Sequence, residues 1–457
     1  AVLLAGLGVL AIGYVLALYA RRYAGAGAVY EYLTHGTHPA VGVFTAGVFF
    51  VGTLFLGGGG IYLGVGILAN GFWSEHISSS NAPAWWVFGF IALAIVLVLN
   101  YLGVRIAIRA MLTFAAISFL PMLFLAVAII VQGGDSGNTL QVFNPNQTSW
   151  LGVTGGGVLG GILVGILLFV GFEAAASIGE ESSDPHRSIP RAVLATITAS
   201  AIFFVIMAYA ITIGYGKDAV ASGKWVSDPA YLDTMATRYV GSWLATIIDL
   251  VVILDAMGLA LAICVTIGRG YFALGRDGLL PSFFAKTSRH DTPWVGNLVI
   301  VVGWMFLFIV AKFTGWMDTL AQFLGTKEFA AFIVSATAGS FAIEIVYLIL
   351  SLGAIYLLLR SGGKPWQYLV VLVAVATPLL GFYGALKPAP HNSDNPNWLA
   401  LYWALAVLAI AAVWFLVVQL TRPDRVRNAA SHAAEHRGVP ALDENLDFSP
   451  APPDTTV

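Results

Sequence analysis

The sequence predicts an all-α membrane protein, and three observations carry that reading. Hydrophobic residues make up 58% of the 457 positions and charged residues only 10%. A water-soluble domain carries about 25% charged residues. Mean hydropathy is +0.84. Apolar stretches long enough to cross about 30 Å of hydrocarbon recur along the chain. A backbone in lipid must satisfy its hydrogen bonds internally, so each stretch is read as a helix.

There are about eleven such stretches. They lie near 1–20, 40–70, 84–104, 110–131, 155–178, 191–215, 243–268, 294–313, 329–359, 368–388 and 397–420. Two of them, 40–70 and 329–359, exceed a straight crossing and are expected to tilt, kink or run past the bilayer. Residues 1–420 form one polytopic membrane domain. The tail 421–457 is polar and proline-bearing, too poor in apolar residues to order itself, and is expected to be disordered. Two loops have amphipathic stretches. AYLDTMATRYV within 216–242 fits a short helix. The loop 269–292 is expected to lie along the membrane face with Phe283 and Phe284 dipping in.

Alternating the loops divides the 22 basic residues sixteen against six. The richer side holds Arg21, Arg22, Arg105, Arg109, Arg187, Arg191, Arg269, Arg276, Lys286, Arg289, Arg360, Lys364 and the four arginines of the tail. The positive-inside rule then places that side, and the C-terminus, in the cytoplasm of a multi-pass cell-membrane protein. An odd number of spans puts Ala1 outside, at the very edge of a span. The simplest expectation is a further helix ahead of it that this chain lacks.

Several function classes find no support. One cysteine, Cys264, allows no intrachain disulfide. No basic run with interleaved aromatics suggests nucleic acid. HExxH, CxxC and phosphate-loop patterns are absent, so no metal, cofactor or ATP-driven pump is expected. GDSG at 134–137 and GGGVLG at 155–160 fit catalytic and dinucleotide patterns by letter only, because one sits in a short loop and the other opens a membrane helix. No nucleophile–base pair suggests an enzyme.

The chemistry concentrates in residues 171–193, GFEAAASIGEESSDPHRSIPRAV. A glycine-studded apolar helix carries one acid, Glu173, and runs into a charged loop. An acid at membrane depth is costly and marks a functional site. Glycines interrupting a membrane helix mark where it can unwind and expose backbone groups to a ligand. Breaking the helix around Phe169, Val170, Gly171, Phe172 and Glu173 would turn a positive helix end toward a carboxylate and free carbonyls toward an ammonium. Upstream, Gly157, Gly161 and Gly165 fit a ladder for close helix packing. Glu173 has two readings, proton binding or holding the break in place. Asp255 and Glu344 are further acids at depth, each facing a vestibule or neutral and hydrogen-bonded. Asp249 reads as a solvated helix start.

Three blocks together resemble the amino acid–polyamine–organocation (APC) transporter superfamily. They are GFEAAASIGEESSDPHRSIPRAV, ARRYAGAGAVYEYLTHGTHPAVG at 20–42 and RGYFALGRDGLLPSFF at 269–284. The second departs from the family around Ala24, where a proline is usual. The resemblance implies a twelve-helix fold of two inverted five-helix repeats plus two helices, with the family's first helix missing here. It makes Phe169–Glu173 the substrate-binding break of the sixth family helix. It adds Gly52, Phe55 and Gly58 from the third and Ile263 from the eighth as pocket residues. Much of the family carries a lysine near the position of Ser118, and 110–131 has none. The Ser118 hydroxyl fits a sodium ligand or simple packing. Glu180, Glu181, Arg187, Arg191, Arg276 and Asp277 form either a cytoplasmic gate or a solvated charged surface.

The function implied is secondary active transport of amino acids or related amines by alternating access, as proton-coupled symport or exchange. The partners are that substrate, the lipid bilayer and protons. The alternatives are sodium coupling, or a non-transporting sensor on the same fold.

Overall fold

The computed structural model describes residues 1–57, 64–144, 149–151, 157–222, 230–313, 327–387, 396–430 and 434–435. Helices take up each of the predicted apolar stretches. In chain order they are α1 Val2–Ala20, the short α2 Val29–Gly36, α3 Pro39–Gly57, α4 Gly64–His76, α5 Trp85–Leu102 and α6 Val104–Gln132. Then come α7 Gly157–Leu167, a tighter segment Phe172–Glu181, α8 Pro185–Tyr215, the short α9 Lys217–Ala221 and α10 Tyr231–Tyr239. The second half holds α11 Ser242–Arg276, α12 Trp294–Phe313, α13 Lys327–Ser361, α14 Pro365–Leu386, α15 Pro396–Thr421 and the short α16 Pro423–Arg427.

Ten described helices are long and apolar enough to cross a bilayer, the tightened segment counted with α7, and the described apolar part of α12 is shorter. Five helices (α3, α8, α14, α15 and α16) begin at a proline. That is the position where its fixed φ suits the helix and its missing N–H costs nothing. The expected helix in AYLDTMATRYV is α10.

Burial sorts the helices into inner and outer. In α1 and α3, 72% of the apolar window is buried, against 22%, 17% and 22% in α6, α8 and α15. Leu120, Val131 and Leu420 on the outer helices are 70%, 79% and 81% exposed, as suits a lipid-facing surface. α7 is pressed between α1 and α14. A Cβ on Gly161 or Gly165 would lie 2.6 or 2.5 Å from the Cβ of Ala1 or Ala5, and Gly384 of α14 abuts the Leu159–Gly160 backbone. The upstream glycine ladder is therefore a packing device, as its spacing suggests.

Contacts between loops respect the predicted alternation. On the Arg-rich face, His186 meets the Ala20 carbonyl at 3.3 Å and Arg422 donates to the Gly278 carbonyl at 2.8 Å. On the opposite face, Arg238 pairs with Asp135, and His76 meets Asp249 at 2.9 Å.

Within the stretch 40–70, α3 and α4 are described on either side of 58–63, which lie outside the described residues. Two stretches, the loop 269–292 and the start of the tail, differ from expectation. The segment 269–292 is no separate surface helix at its start, because α11 runs unbroken to Arg276. Its glycines allow that: Gly270 lies against the Phe50 ring and Gly275 against Phe284. Phe283 is 47% exposed, while Phe284 packs on Tyr271 with ring centres 5.6 Å apart. The start of the tail is ordered too. Val426, Ala429 and Ala430 are buried, and Ala434–Glu435 pairs antiparallel with Tyr23–Ala24.

Candidate functional site

The break falls inside Phe169–Glu173. The α-helical ladder of α7 stops at Leu167, and the next bonds shorten to three-residue steps, Phe169 N–H to the Ile166 carbonyl at 2.9 Å and Ala174 N–H to the Gly171 carbonyl at 3.0 Å. Gly171 has φ +118°, a conformation that a side chain would strain. A Cβ there would meet nothing within 4 Å among the described residues, so they leave the space beside the break open.

Glu173 closes the break. Its Oε2 accepts the Gly171 N–H at 3.0 Å and the Tyr347 hydroxyl at 2.9 Å. Glu173 is buried, as is Tyr347. The Phe172 ring stacks on Tyr347 with centroids 5.5 Å apart, and Phe169 meets Phe204 edge-on at 5.3 Å. Val170 is half-buried against the same core. One turn before Tyr347, Glu344 is fully buried and neither oxygen has a hydrogen-bond partner among the described residues.

The other expected pocket residues lie elsewhere or face helix contacts. Gly52 belongs to the α3–α13 seam, where an added Cβ would sit 2.7 Å from Ala342. The Phe55 ring is 5.6 Å from Trp403, and its carbonyl accepts the Ser335 hydroxyl at 2.6 Å. Ile263 is buried in α11. Gly58 lies outside the described residues. Ser118 donates to the carbonyls of Phe114 at 2.8 Å and Val251 at 3.1 Å. That hydroxyl ties α6 to α11, which is the packing reading. Asp255 is exposed on α11, and no described contact joins it to Glu173.

On the Arg-rich face a second polar cluster joins residues far apart in the chain. Arg276 pairs with Glu180 at 3.0 Å and with Glu31 at 3.8 Å. Glu180 also accepts the Ala26 N–H at 3.1 Å. Glu31 is 0% exposed, and the Gly25–Gly27 turn wraps so closely that a side chain at Gly25 would strike its carboxylate. Burial, and then Glu180 beside it, push Glu31 up to about 8. Asp277 is buried and accepts the Tyr30 hydroxyl at 2.5 Å and the Ala430 N–H at 2.8 Å. Of the expected charged network, Glu180, Arg276 and Asp277 are thus brought together. Arg187 instead makes a local 4.0 Å pair with Asp184 at the surface, 71% and 55% exposed. Arg191 is half-buried on α8, and the Glu181 side chain lies outside the described residues.

The opposite face carries Glu75, His76 and Asp249, with ligand-type atoms within 4.8 Å of one another. Burial and the neighbouring Asp249 push Asp233 up to about 7.

The profile of the family described as "Amino acid permease" matches residues 1–426. The chain belongs to that family. This permease chain is 26% identical over 275 residues to the lysine-specific permease LysP of Lactococcus lactis, covering 57% of this chain and 53% of that protein. It is 26% identical over 289 residues to the branched-chain amino acid permease BcaP of Bacillus subtilis, covering 62% and 57%. With the L-asparagine permease of Escherichia coli it shares 25% over 285 residues, covering 60% and 54%. The chain spans about half the length of these curated relatives.

Sequence reading of the permease chain missed Tyr347, Glu31 and Tyr30. Tyr347 stands three residues after Glu344 on the same helix, and that spacing was its available signal. Glu31 lies inside the second family-like block, flanked by Tyr30 and Tyr32. An acid between two aromatics on a glycine turn was the hint that it is buried.

Proposed function

We propose that this chain is a membrane carrier that moves amino acids by alternating access, with proton-coupled symport or exchange as its energy source. One observation carries the reading: a membrane helix is broken at Gly171 and held open by the Gly171–Glu173–Tyr347 bonds, beside open space. Such a break offers unpaired backbone groups and a helix terminus to a zwitterion. The relatives are named for lysine, branched-chain amino acids and asparagine. Those substrates share only their α-amino and carboxyl groups, so recognition of that pair by backbone is the common element. Acids at membrane depth favour the proton as coupling ion. The cluster of Glu31, Glu180, Arg276 and Asp277 serves as the gate on the Arg-rich face, which the positive-inside rule makes cytoplasmic.

Uptake of a panel of labelled amino acids into proteoliposomes, with and without an imposed pH gradient, tests this. Gradient-driven accumulation is the expected result. Uptake that follows a sodium gradient alone would replace the coupling ion, and no uptake of any amino acid would overturn the carrier reading.

A further inference from the structure

Two buried carboxyl groups compete for one phenol. Tyr347 follows Glu344 by three residues on α13, so the two side chains share a helix face. The Tyr347 hydroxyl donates to Glu173 Oε2 at 2.9 Å. Glu344 has both oxygens buried and, among the described residues, unbonded. A Cβ built on Gly381 of α14 would lie 3.4 Å from Glu344 Oε2, so the carboxyl fills the gap that this glycine leaves.

Little else near α13 can answer a charge. The helices α1, α3, α7, α14 and α15 contain no acidic or basic residue. On α1, the Tyr14 hydroxyl accepts from Gln367 and Tyr19 donates to the Leu350 carbonyl. Of the packed neighbours, α2 turns Glu31 to Arg276 and His35 to the Ala430 carbonyl. α4 keeps Glu75 and His76 beside Asp249, and in α12 the single basic residue, Lys312, stands in the last turn. An ionised carboxylate held at Glu344 without a partner is strongly disfavoured. A buried acid left without any donor in a polar-poor interior is a place for a positive charge from outside, and a proton needs no room.

We propose that Glu344 is the acid that takes up the coupled proton, and that Tyr347 reports its state to the broken helix by giving its single O–H to one carboxyl or the other. The proposal rests on the carrier reading above. In the described conformation Glu344 carries the proton and Tyr347 holds Glu173. When Glu344 releases its proton to water, its carboxylate becomes an acceptor without a donor. The Tyr347 O–H then turns to it, one hydrogen bond breaking as one forms. Glu173 keeps only the Gly171 N–H, and the break loosens. Glu173 is thereby a positioning residue, and the coupling chemistry sits on α13.

The test compares wild type, Glu344→Gln and Tyr347→Phe in proteoliposomes, each checked for monodispersity. Glu344→Gln is expected to lose pH-driven accumulation about ten-fold or more while exchange of internal for external amino acid stays within about two-fold, since exchange needs no net proton movement. Tyr347→Phe is expected to flatten the pH dependence of the exchange KM. Full accumulation by Glu344→Gln overturns the proposal, as does loss of exchange together with accumulation, or an unchanged KM–pH profile in Tyr347→Phe. If wild type neither accumulates nor exchanges any amino acid, the carrier reading fails. The infrared spectrum then decides Glu344 separately: a carboxylic acid C=O band lost in Glu344→Gln supports its protonation, and an identical band overturns it.

Discussion

The Arg-rich face and the membrane interior both bury glutamates, and they treat them differently. Glu31 is completely buried but has Arg276 at 3.8 Å, and Glu180 meets the same guanidinium nitrogen at 3.0 Å. Glu344 is as deeply buried; among the described residues neither glutamate's oxygens accept a hydrogen bond, and Glu344 has no ion pair either. Glu173 lies between these cases, answered by one backbone N–H and one phenol. The lesson concerns where the positive charge comes from. On the Arg-rich face the chain supplies it, so the charges hold elements together. In the interior no such cation stands beside Glu344 among the described residues.

The sharpest way to break this comparison is to remove the gate's own cation. Arg276→Gln is expected to destabilise the protein by about 2–3 kcal/mol above pH 8, because a buried carboxylate is left unanswered. The loss should shrink at lower pH. Glu31 titrates higher in the folded than in the unfolded chain, since burial raises it to about 8. The folded state therefore binds more protons between the ordinary carboxylate range and that value, and stability contributed by the protonated form is lost as pH rises through it. Glu31→Gln should flatten that slope, in wild type and in Arg276→Gln alike. Thermal unfolding in detergent across about pH 5 to 9 reads both effects, and a slope unchanged by Glu31→Gln would remove Glu31 as its source.

Next in size is the interior backbone. Gly171→Ala must place a Cβ at φ +118°, at a cost of roughly 1–2 kcal/mol. Space is open there, so the loss should come from strain alone and should appear in substrate affinity as well as in melting temperature. Tyr347→Phe removes one of two donors to Glu173 and should cost about 1 kcal/mol of stability. A larger loss would mean that the phenol packs more than it bonds. The smallest effect belongs to Arg187→Ala. Its pair with Asp184 is long and exposed, and such pairs contribute little. A clear shift in melting temperature for that variant would return Arg187 to the gate.

Much of the architecture was legible because the bilayer imposes a simple rule on composition. The eleven apolar stretches, the sidedness of the loops and the break at Gly171 all follow from local residue type. Ser118 shows the limit. Its hydroxyl suits a sodium ligand or a packing bond equally, and only the Val251 carbonyl at 3.1 Å settles which bond it makes. Gly52 reads the same way in sequence whether it lines a pocket or admits Ala342. Arg187 and Arg276 are both arginines in charged loops, yet one stays in solvent and the other spans two acids.

The sequence by itself determined that the chain crosses a membrane many times, that one helix cannot run straight through Gly171, and that acids sit at depth. These are properties of segments, set by hydropathy and backbone sterics. The tertiary structure decided which acid is answered. Tyr347 reaches Glu173 across 174 residues, Arg276 reaches Glu31 across most of the chain, and Ala430 of the tail reaches Asp277. Such pairings depend on how helices pack side by side, which no local pattern encodes.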